Sequence, residues 1–248
     1  MAITKININQ VYKSVLVVLQ QQKRGVLTPT EFNKVATQSQ QEIFNDYFDE
    51  LNQLLRQPQT SLAYADRFAL LDEKISLFKR MEKLSTDNLA KINLKDASLA
   101  NVNIQELGDV VYFETSASEG KEVQRIQTFE VYTTNQSPLT APTARYPVYT
   151  YENSILQLYP KAIGAGTNNV QINFLKYPDN IKWGFTIDTE LGNYIYNEQS
   201  SVDPEIHQSD QTLLIDKILG YAGVMTRDQL ALQLASQKEQ QIDIDGQK

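Results

Sequence analysis

The chain has 248 residues, a formal net charge of −7, one histidine and no cysteine. That length is enough to bury a substantial core in one or two domains. Without cysteine, disulfides, thiol nucleophiles and cysteine-ligated metals are excluded; one histidine excludes multi-histidine metal sites within one chain; and the acidic balance argues against gripping nucleic acid through a general basic surface, where affinity comes from Lys and Arg displacing counterions.

No stretch approaches the roughly 18 apolar residues of a membrane span. The longest apolar candidate, 15–19, lies inside an amphipathic helix and is too short for a signal-peptide core, so a soluble chain without a visible secretion signal is expected. The first helix is expected to open at Asn7 or Asn9 and to carry Val11, Tyr12, Val15, Val18 and Leu19 on one face until Gly25 breaks it. The following run, Gly25-Val26-Leu27-Thr28-Pro29-Thr30-Glu31-Phe32-Asn33, scripts a helix start. Thr28 is placed as N-cap, Pro29 fits the first helical position, Glu31 completes a capping box, and Leu27 with Phe32 form the hydrophobic staple. Apolar residues then recur at helical spacing from Phe32 to Leu55, with the stop near Gln57-Pro58. A third helix is expected from Thr60 or Ser61, with Tyr64, Phe68, Leu71, Ile75 and Phe78 as its packing seam. Between 86 and 108 the pattern is irregular and predicts loop with short helical turns.

From 109 to about 196 the period becomes two. Val170, Ile172 and Phe174 alternate with polar residues, Tyr177-Pro178-Asp179-Asn180 reads as a turn, and Ile181, Trp183, Phe185 and Ile187 alternate again, which predicts a hairpin with one buried face. Further strands are expected at 110–114, 123–133, 146–151, 155–159 and 194–197, an extended loop or arm at 134–145, and a mobile hairpin loop around Gly164-Ala165-Gly166. Ser209 can cap a C-terminal helix in which Leu213, Leu214, Ile218, Leu219 and Ala222 form the apolar stripe, with Gly223 as its terminator. Thr226 can cap a short last helix anchored by Leu230 and Leu234, before a polar run from Ser236 that is expected to fray. The predicted fold class is α+β, with long N-terminal helices packed with a mostly antiparallel β region and a C-terminal helical segment, divided as a helical region 1–108, a β-rich region 109–205, and C-terminal helices with a polar tail 206–248.

Few residue patterns carry chemistry. His207 stands just before a helix start, an ordinary place for a polar residue, although a Ser-His-Asp arrangement would need it as base. Asp46 and Glu50 share a helix face with Asp49 nearby, and Asp72-Glu73 sits on the next helix; paired carboxylates serve glycoside hydrolysis or an oxygen-ligated cation, but they are also what solvated helix faces carry. Gly164-Ala165-Gly166 lacks the third glycine of a dinucleotide fingerprint. No catalytic, cofactor-binding or metal-binding residues are predicted. The aromatic residues Tyr146, Tyr149, Tyr151 and Trp183, together with Tyr159, are the interface candidates: alternating aromatics in a sheet serve core, subunit contact or a stacking surface.

The run Ile6-Asn7-Ile8-Asn9-Gln10-Val11-Tyr12 through Gly25 to Asn33, continuing with Ala36 and Gln41-Glu42-Ile43-Phe44, resembles virion structural proteins of crAss-like bacteriophages and related phages of Bacteroidetes. The pattern Pro178-Asp179, Lys182-Trp183-Gly184, Glu205-Ile206-His207-Gln208-Ser209-Asp210 and Leu213 to Val224 resembles the same group, while the stretch from about 85 to 145 carries no clear similarity. The resemblance implies a ring-forming head-to-tail connector or tail-ring subunit of the neck, commonly twelvefold, assembled in the bacterial cytoplasm with portal-side neighbours and located in the virion, with DNA passing through its channel without specific binding. A virion-associated carboxylate hydrolase and a host-carbohydrate-binding tail module are the competing classes.

Overall fold

The computed structural model describes residues 6–21, 27–56, 62–95, 99–100, 102–115, 118–190 and 192–225, and its fold is α+β. The expected helix break at Gly25, the stop at Gln57-Pro58, the start at Thr60 or Ser61, the helix capped by Thr226 and the polar tail lie outside these residues. Chain contacts divide the protein into two compact units, 1–77 with 178–248, and 78–177. The second unit is thus an insertion in the first, a grouping that cuts across the expected division at 109 and 206. The inserted chain enters and leaves on neighbouring strands, where the Lys176 amide donates to the Phe78 carbonyl at 2.9 Å.

The first unit is built on three N-terminal helices, α1 (Ile8–Gln21), α2 (Pro29–Arg56) and α3 (Leu62–Ser76), and one C-terminal helix, α5 (Gln211–Met225). Asn7 caps α1, its side-chain oxygen accepting the amides of Asn9 at 2.8 Å and Gln10 at 3.3 Å. Helix α2 starts where the capping box predicts. The Thr28 amide and hydroxyl donate to Glu31 at 3.0 and 2.6 Å, and the Glu31 amide donates back to Thr28 at 3.4 Å. Its 28 residues span about 42 Å at 1.5 Å per residue. Phe32, Val35, Ala36, Ile43, Phe44, Tyr47 and Leu54 face the core, which α1 joins with Val11, Val15 and Leu19 and α5 with Leu214, Ile218 and Ala222. The seam expected on α3 is half realised: Leu71 and Ile75 are buried, whereas Phe68 is exposed. Gly223 does not end α5, which continues to Met225. Packing of the Leu214-Ile218-Ala222 stripe outweighs the low helix propensity of glycine.

The inserted unit is a pair of four-stranded sheets sharing one core. One sheet has the order β1 (Lys79–Thr86), β8 (Gly166–Lys176), β3 (Ile104–Tyr112), β4 (Lys121–Glu122); the other has the order β2 (Lys91–Asn93), β7 (Ile155–Tyr159), β6 (Val148–Glu152), β5 (Gln124–Arg125). All pairings are antiparallel except β5 with β6. Val170, Ile172 and Phe174 from one sheet and Tyr149, Leu156 and Leu158 from the other meet in the shared core.

Several sequence expectations are corrected here. Strands begin at Lys79, not 109, and the 86–108 stretch holds β2 and the start of β3 rather than loop with helical turns. Strand β1 is unrecognisable by hydrophobic alternation because Lys79 to Lys83 are all exposed at a sheet edge, where charged side chains discourage further pairing. In β3, register shifts between Ile104 and Glu106 and between Leu107 and Val110 break the period of two. The strand expected at 123–133 is only β5; a capping box between Gln127 and Glu130 then opens a 3-10 turn, Thr128–Glu130, that runs into helix α4 (Val131–Gln136). The arm expected at 134–145 is folded on itself, with the Ala141 amide donating to Ser137 at 2.9 Å and the Thr140 hydroxyl to Thr134 at 3.2 Å. Gly164 and Gly166 do not close a hairpin, since β7 and β8 belong to different sheets.

The hairpin expected from 170 to 187 is also absent. Both edges of β8 are occupied by β1 and β3, and the chain after Tyr177 returns to the first unit. There β9 (Phe185–Ile187) pairs with β10 (Tyr194–Tyr196) as a separate ribbon, and Lys182 bridges Val202.

The α2 cap gives a direct test. Thr28→Ala is expected to lower stability by about 1 kcal/mol and Pro29→Ala by less, read as shifts in chemical denaturation midpoint. The Thr28 hydroxyl and amide hold the Glu31 carboxyl below its ordinary value of 4.5. A folded-state pKa depressed in this way adds stability above the unfolded value, and that part disappears as pH falls through the lower folded value. The gap between wild type and Thr28→Ala should therefore narrow in acid below the usual glutamate range.

Candidate functional site

Helix α2 presents a stripe of polar residues, Asn33, Thr37 and Gln40, to the returning segment 179–183. The Trp183 amide donates to Asn33 Oδ1 at 2.7 Å, and Asn33 Nδ2 donates to the Trp183 carbonyl at 3.3 Å. One turn on, the Thr37 hydroxyl shares its proton between the Asn33 carbonyl of its own helix at 2.8 Å and the Ile181 carbonyl at 3.3 Å. Gln40 Nε2 then donates to the Asp179 carbonyl at 2.7 Å, while Gln40 Oε1 accepts the Glu205 amide at 2.9 Å. The spacing of four and three residues keeps all three side chains on one helix face. For Ile181 and Trp183, both buried, they take the place of a neighbouring strand and satisfy backbone that would otherwise lack partners. Gln40 is itself buried, so its amide is committed to this role.

Trp183, one of the four interface candidates, is the hub of an aromatic cluster in the first unit. Its ring lies 4.4 Å from Tyr12, 5.6 Å from Tyr196 and 6.1 Å from Phe185, centroid to centroid, and its Nε1 donates to Asn9 Oδ1 at 3.3 Å. Trp183 is buried, and its contacts belong to the core of the unit. Gly184 follows it under tight constraint: a Cβ there would stand 2.7 Å from the Asn197 carbonyl oxygen and collide with the Ser200 hydroxyl. The other three candidates lie in the inserted unit and divide by environment. Tyr149 is in the shared core, where burial raises its phenol pKa. Tyr151 is half-buried beneath the Arg125 guanidinium, 5.8 Å from its ring, and Tyr146 is exposed beneath Arg145 at 5.6 Å. Of the four, Tyr146 alone offers a largely open ring.

Near the C-terminal half of α2, Asp210 collects polar groups from three elements. The Tyr47 hydroxyl donates to Asp210 Oδ2 at 2.5 Å, Lys74 Nζ lies 2.9 Å from both carboxylate oxygens, and the Ser209 hydroxyl donates to Oδ1 at 3.2 Å. Lys74 also sits 5.3 Å from the Tyr47 ring centroid. Burial, reinforced by the Asp210 charge, raises the Tyr47 pKa far above its ordinary value. His207, rather than Ser209, caps the turn into α5, its Nδ1 accepting the Ser209 amide at 3.3 Å. Ser209 Oγ also lies 2.8 Å from His207 Nδ1, but in a nucleophilic triad the carboxylate orients the histidine, whereas here Asp210 contacts Ser209, Tyr47 and Lys74, so the order of contacts differs from that arrangement.

Of the carboxylates singled out on α2, Asp46 has a cationic partner, which it shares with the neighbouring Glu42. Lys217 of α5 lies 3.2 Å from Asp46 and 3.5 Å from Glu42, and Tyr221 donates to Glu42. Among the described residues no cluster of three or more acidic or histidine side chains is arranged to hold a metal ion, and no helix is long and apolar enough to cross a membrane. No family model matches the sequence, and no curated protein matches it significantly.

Removing the hydroxyl in Tyr47→Phe should cost about 1.5–3 kcal/mol, the worth of a hydrogen bond to a charged group. Because the folded pKa is raised, the stability linked to Tyr47 is complete below the unfolded value of 10.0 and is lost as pH rises beyond it. Denaturation midpoints of wild type and Tyr47→Phe should therefore converge above pH 10.0.

Proposed function

We propose that this chain is a structural component of a bacteriophage virion, a ring-forming head-to-tail connector subunit of the neck that joins portal and tail and lines the DNA channel. The observation that carries the proposal is the location of the residues that resemble crAss-like phage virion proteins. The N-terminal set contributes Asn33, and the C-terminal set contributes Trp183, which bond each other directly. Gln40 and Tyr47, which lie beside the N-terminal set without belonging to it, extend that seam to Asp179, Glu205 and Asp210 of the C-terminal set. Residues that carry a resemblance at two distant ends of a sequence and then meet in one unit act as a shared frame. The stretch of about 85 to 145, without clear similarity, falls inside the inserted unit 78–177.

A net charge of −7 suits this role, because an acidic wall lets DNA pass without holding it. Head-to-tail contacts between identical subunits close into a ring when the rotation between them closes. Mass spectrometry and electron microscopy of purified virions test the proposal. The chain is expected among the virion proteins, in a ring of identical copies between capsid and tail; its absence from purified virions would refute the assignment.

A further inference from the structure

Four large apolar side chains of the inserted unit stand out by exposure: Phe129 at 78%, Tyr132 at 78%, Leu139 at 96% and Tyr146 at 69%, ahead of every other large apolar residue described. All four fall between positions 129 and 146, and the segment that carries them is shaped before any partner arrives. The Gln127 amide donates to Glu130 at 3.2 Å to cap the first turn, Thr140 ties the bend back to α4, and Tyr146 and Thr143 exchange backbone hydrogen bonds at 3.1 and 3.3 Å. Val131 alone of this helix faces inward. Beside α4 is a recess of about 320 Å³ lined by Val131, Tyr132, Asn135, Tyr159 and Lys161. A preformed apolar projection with an adjoining recess is a docking element, because water gains little by wetting it and no ordering cost remains to be met on binding.

We propose that this 127–146 element of one copy docks on the α2–α3 end of a second copy of the chain, a contact that deepens the ring assignment and rests on it for its biological setting. On the receiving side, Leu55 of α2 and Phe68 of α3 are exposed, and Tyr64, one turn before Phe68 on the same helix face, stacks on it at 6.4 Å. Area supports a partner of this size: at about 150–250 Å² per aromatic side chain, the four projecting residues supply on the order of 500 Å² of apolar surface, most of the roughly 800 Å² that each side of a standard interface buries. Charge supports it too. The projecting element is flanked by Arg145 and Lys161, while its own Glu130 is engaged in the cap; the receiving helices expose Asp49, Glu50 and Asp66 beside Arg56, so acidic groups predominate there. Opposite signs at the rim fix orientation. The two surfaces differ from each other, so a single contact leaves one of them open on each copy to meet a further copy.

A chain with no cysteine allows a clean test. Full-length Tyr132→Cys and Phe68→Cys variants are mixed and oxidised, with Tyr132→Cys plus Lys34→Cys as the control pair. The expected result is a mixed disulfide dimer several-fold more abundant than in the control, with little self-linking of either variant. Equal yields, or Tyr132→Cys linking mainly to itself, would overturn the contact. Phe129→Ser with Leu139→Ser, both at exposed positions, should weaken self-association by about tenfold in sedimentation while leaving the circular dichroism spectrum unchanged; unaltered self-association would likewise refute it. Cross-linking by a chain that is missing from purified virions would sink the neck assignment and keep the contact. A virion ring formed by copies that do not cross-link would do the reverse.

Discussion

Helix α2 supplies side-chain hydrogen bonds to the backbone of the returning chain on either side of Lys182, the residue that bridges Val202, and the first unit depends on that substitution. In the segment 179–183 the Asp179 and Ile181 carbonyls and both main-chain groups of Trp183 meet side chains of the helix, while Lys182 pairs with Val202. A helix has no free main-chain groups in its middle turns, so only side chains can satisfy this backbone. Asn33, Thr37 and Gln40 do so at successive turns. Asn33 and Gln40 each present a donor and an acceptor, which lets one amide serve two backbone groups. Trp183, fixed at its amide and carbonyl by Asn33, can then lie against Tyr12 and order the aromatic cluster.

Further along α2, the Asp210 node performs a related task with charge. A buried carboxylate is costly unless its oxygens are well partnered, and Tyr47, Lys74 and Ser209 supply those partners. The node joins α2, α3 and the start of α5, elements far apart in the chain. Together with the salt bridges from Lys217 to Glu42 and Asp46, it converts acidic residues that read as solvated helix surface into fixed points of the unit.

How far the sequence was legible follows from whether each signal is local. The Thr28-Pro29-Glu31 cap could be read because every participant lies within four positions, and it forms as expected. The burial of Val170, Ile172 and Phe174 could be read because alternation reports one buried sheet face. Which strand pairs with β8 could not, since the partners β1 and β3 are set by the insertion topology, and β1 hides its strand character behind edge charges. The polar stripe of α2 was equally hidden: Asn33, Thr37 and Gln40 have the composition of a solvated face, and only the return of a distant segment gives them a task. Among the interface candidates, Trp183 and Tyr149 were recognisable as packing aromatics with core and subunit contact both open, and both are core residues. Phe129, Tyr132 and Leu139 were not singled out, because the stretch around them read as a strand and a loop.

Amide hydrogen exchange in Asn33→Ala and Gln40→Ala measures the central interaction most directly. The side-chain ladder predicts that Asn33→Ala releases protection at the Trp183 amide and Gln40→Ala at the Glu205 amide, while the β8 amides of the inserted unit keep theirs. Unchanged protection at Trp183 and Glu205 in the two variants would contradict it.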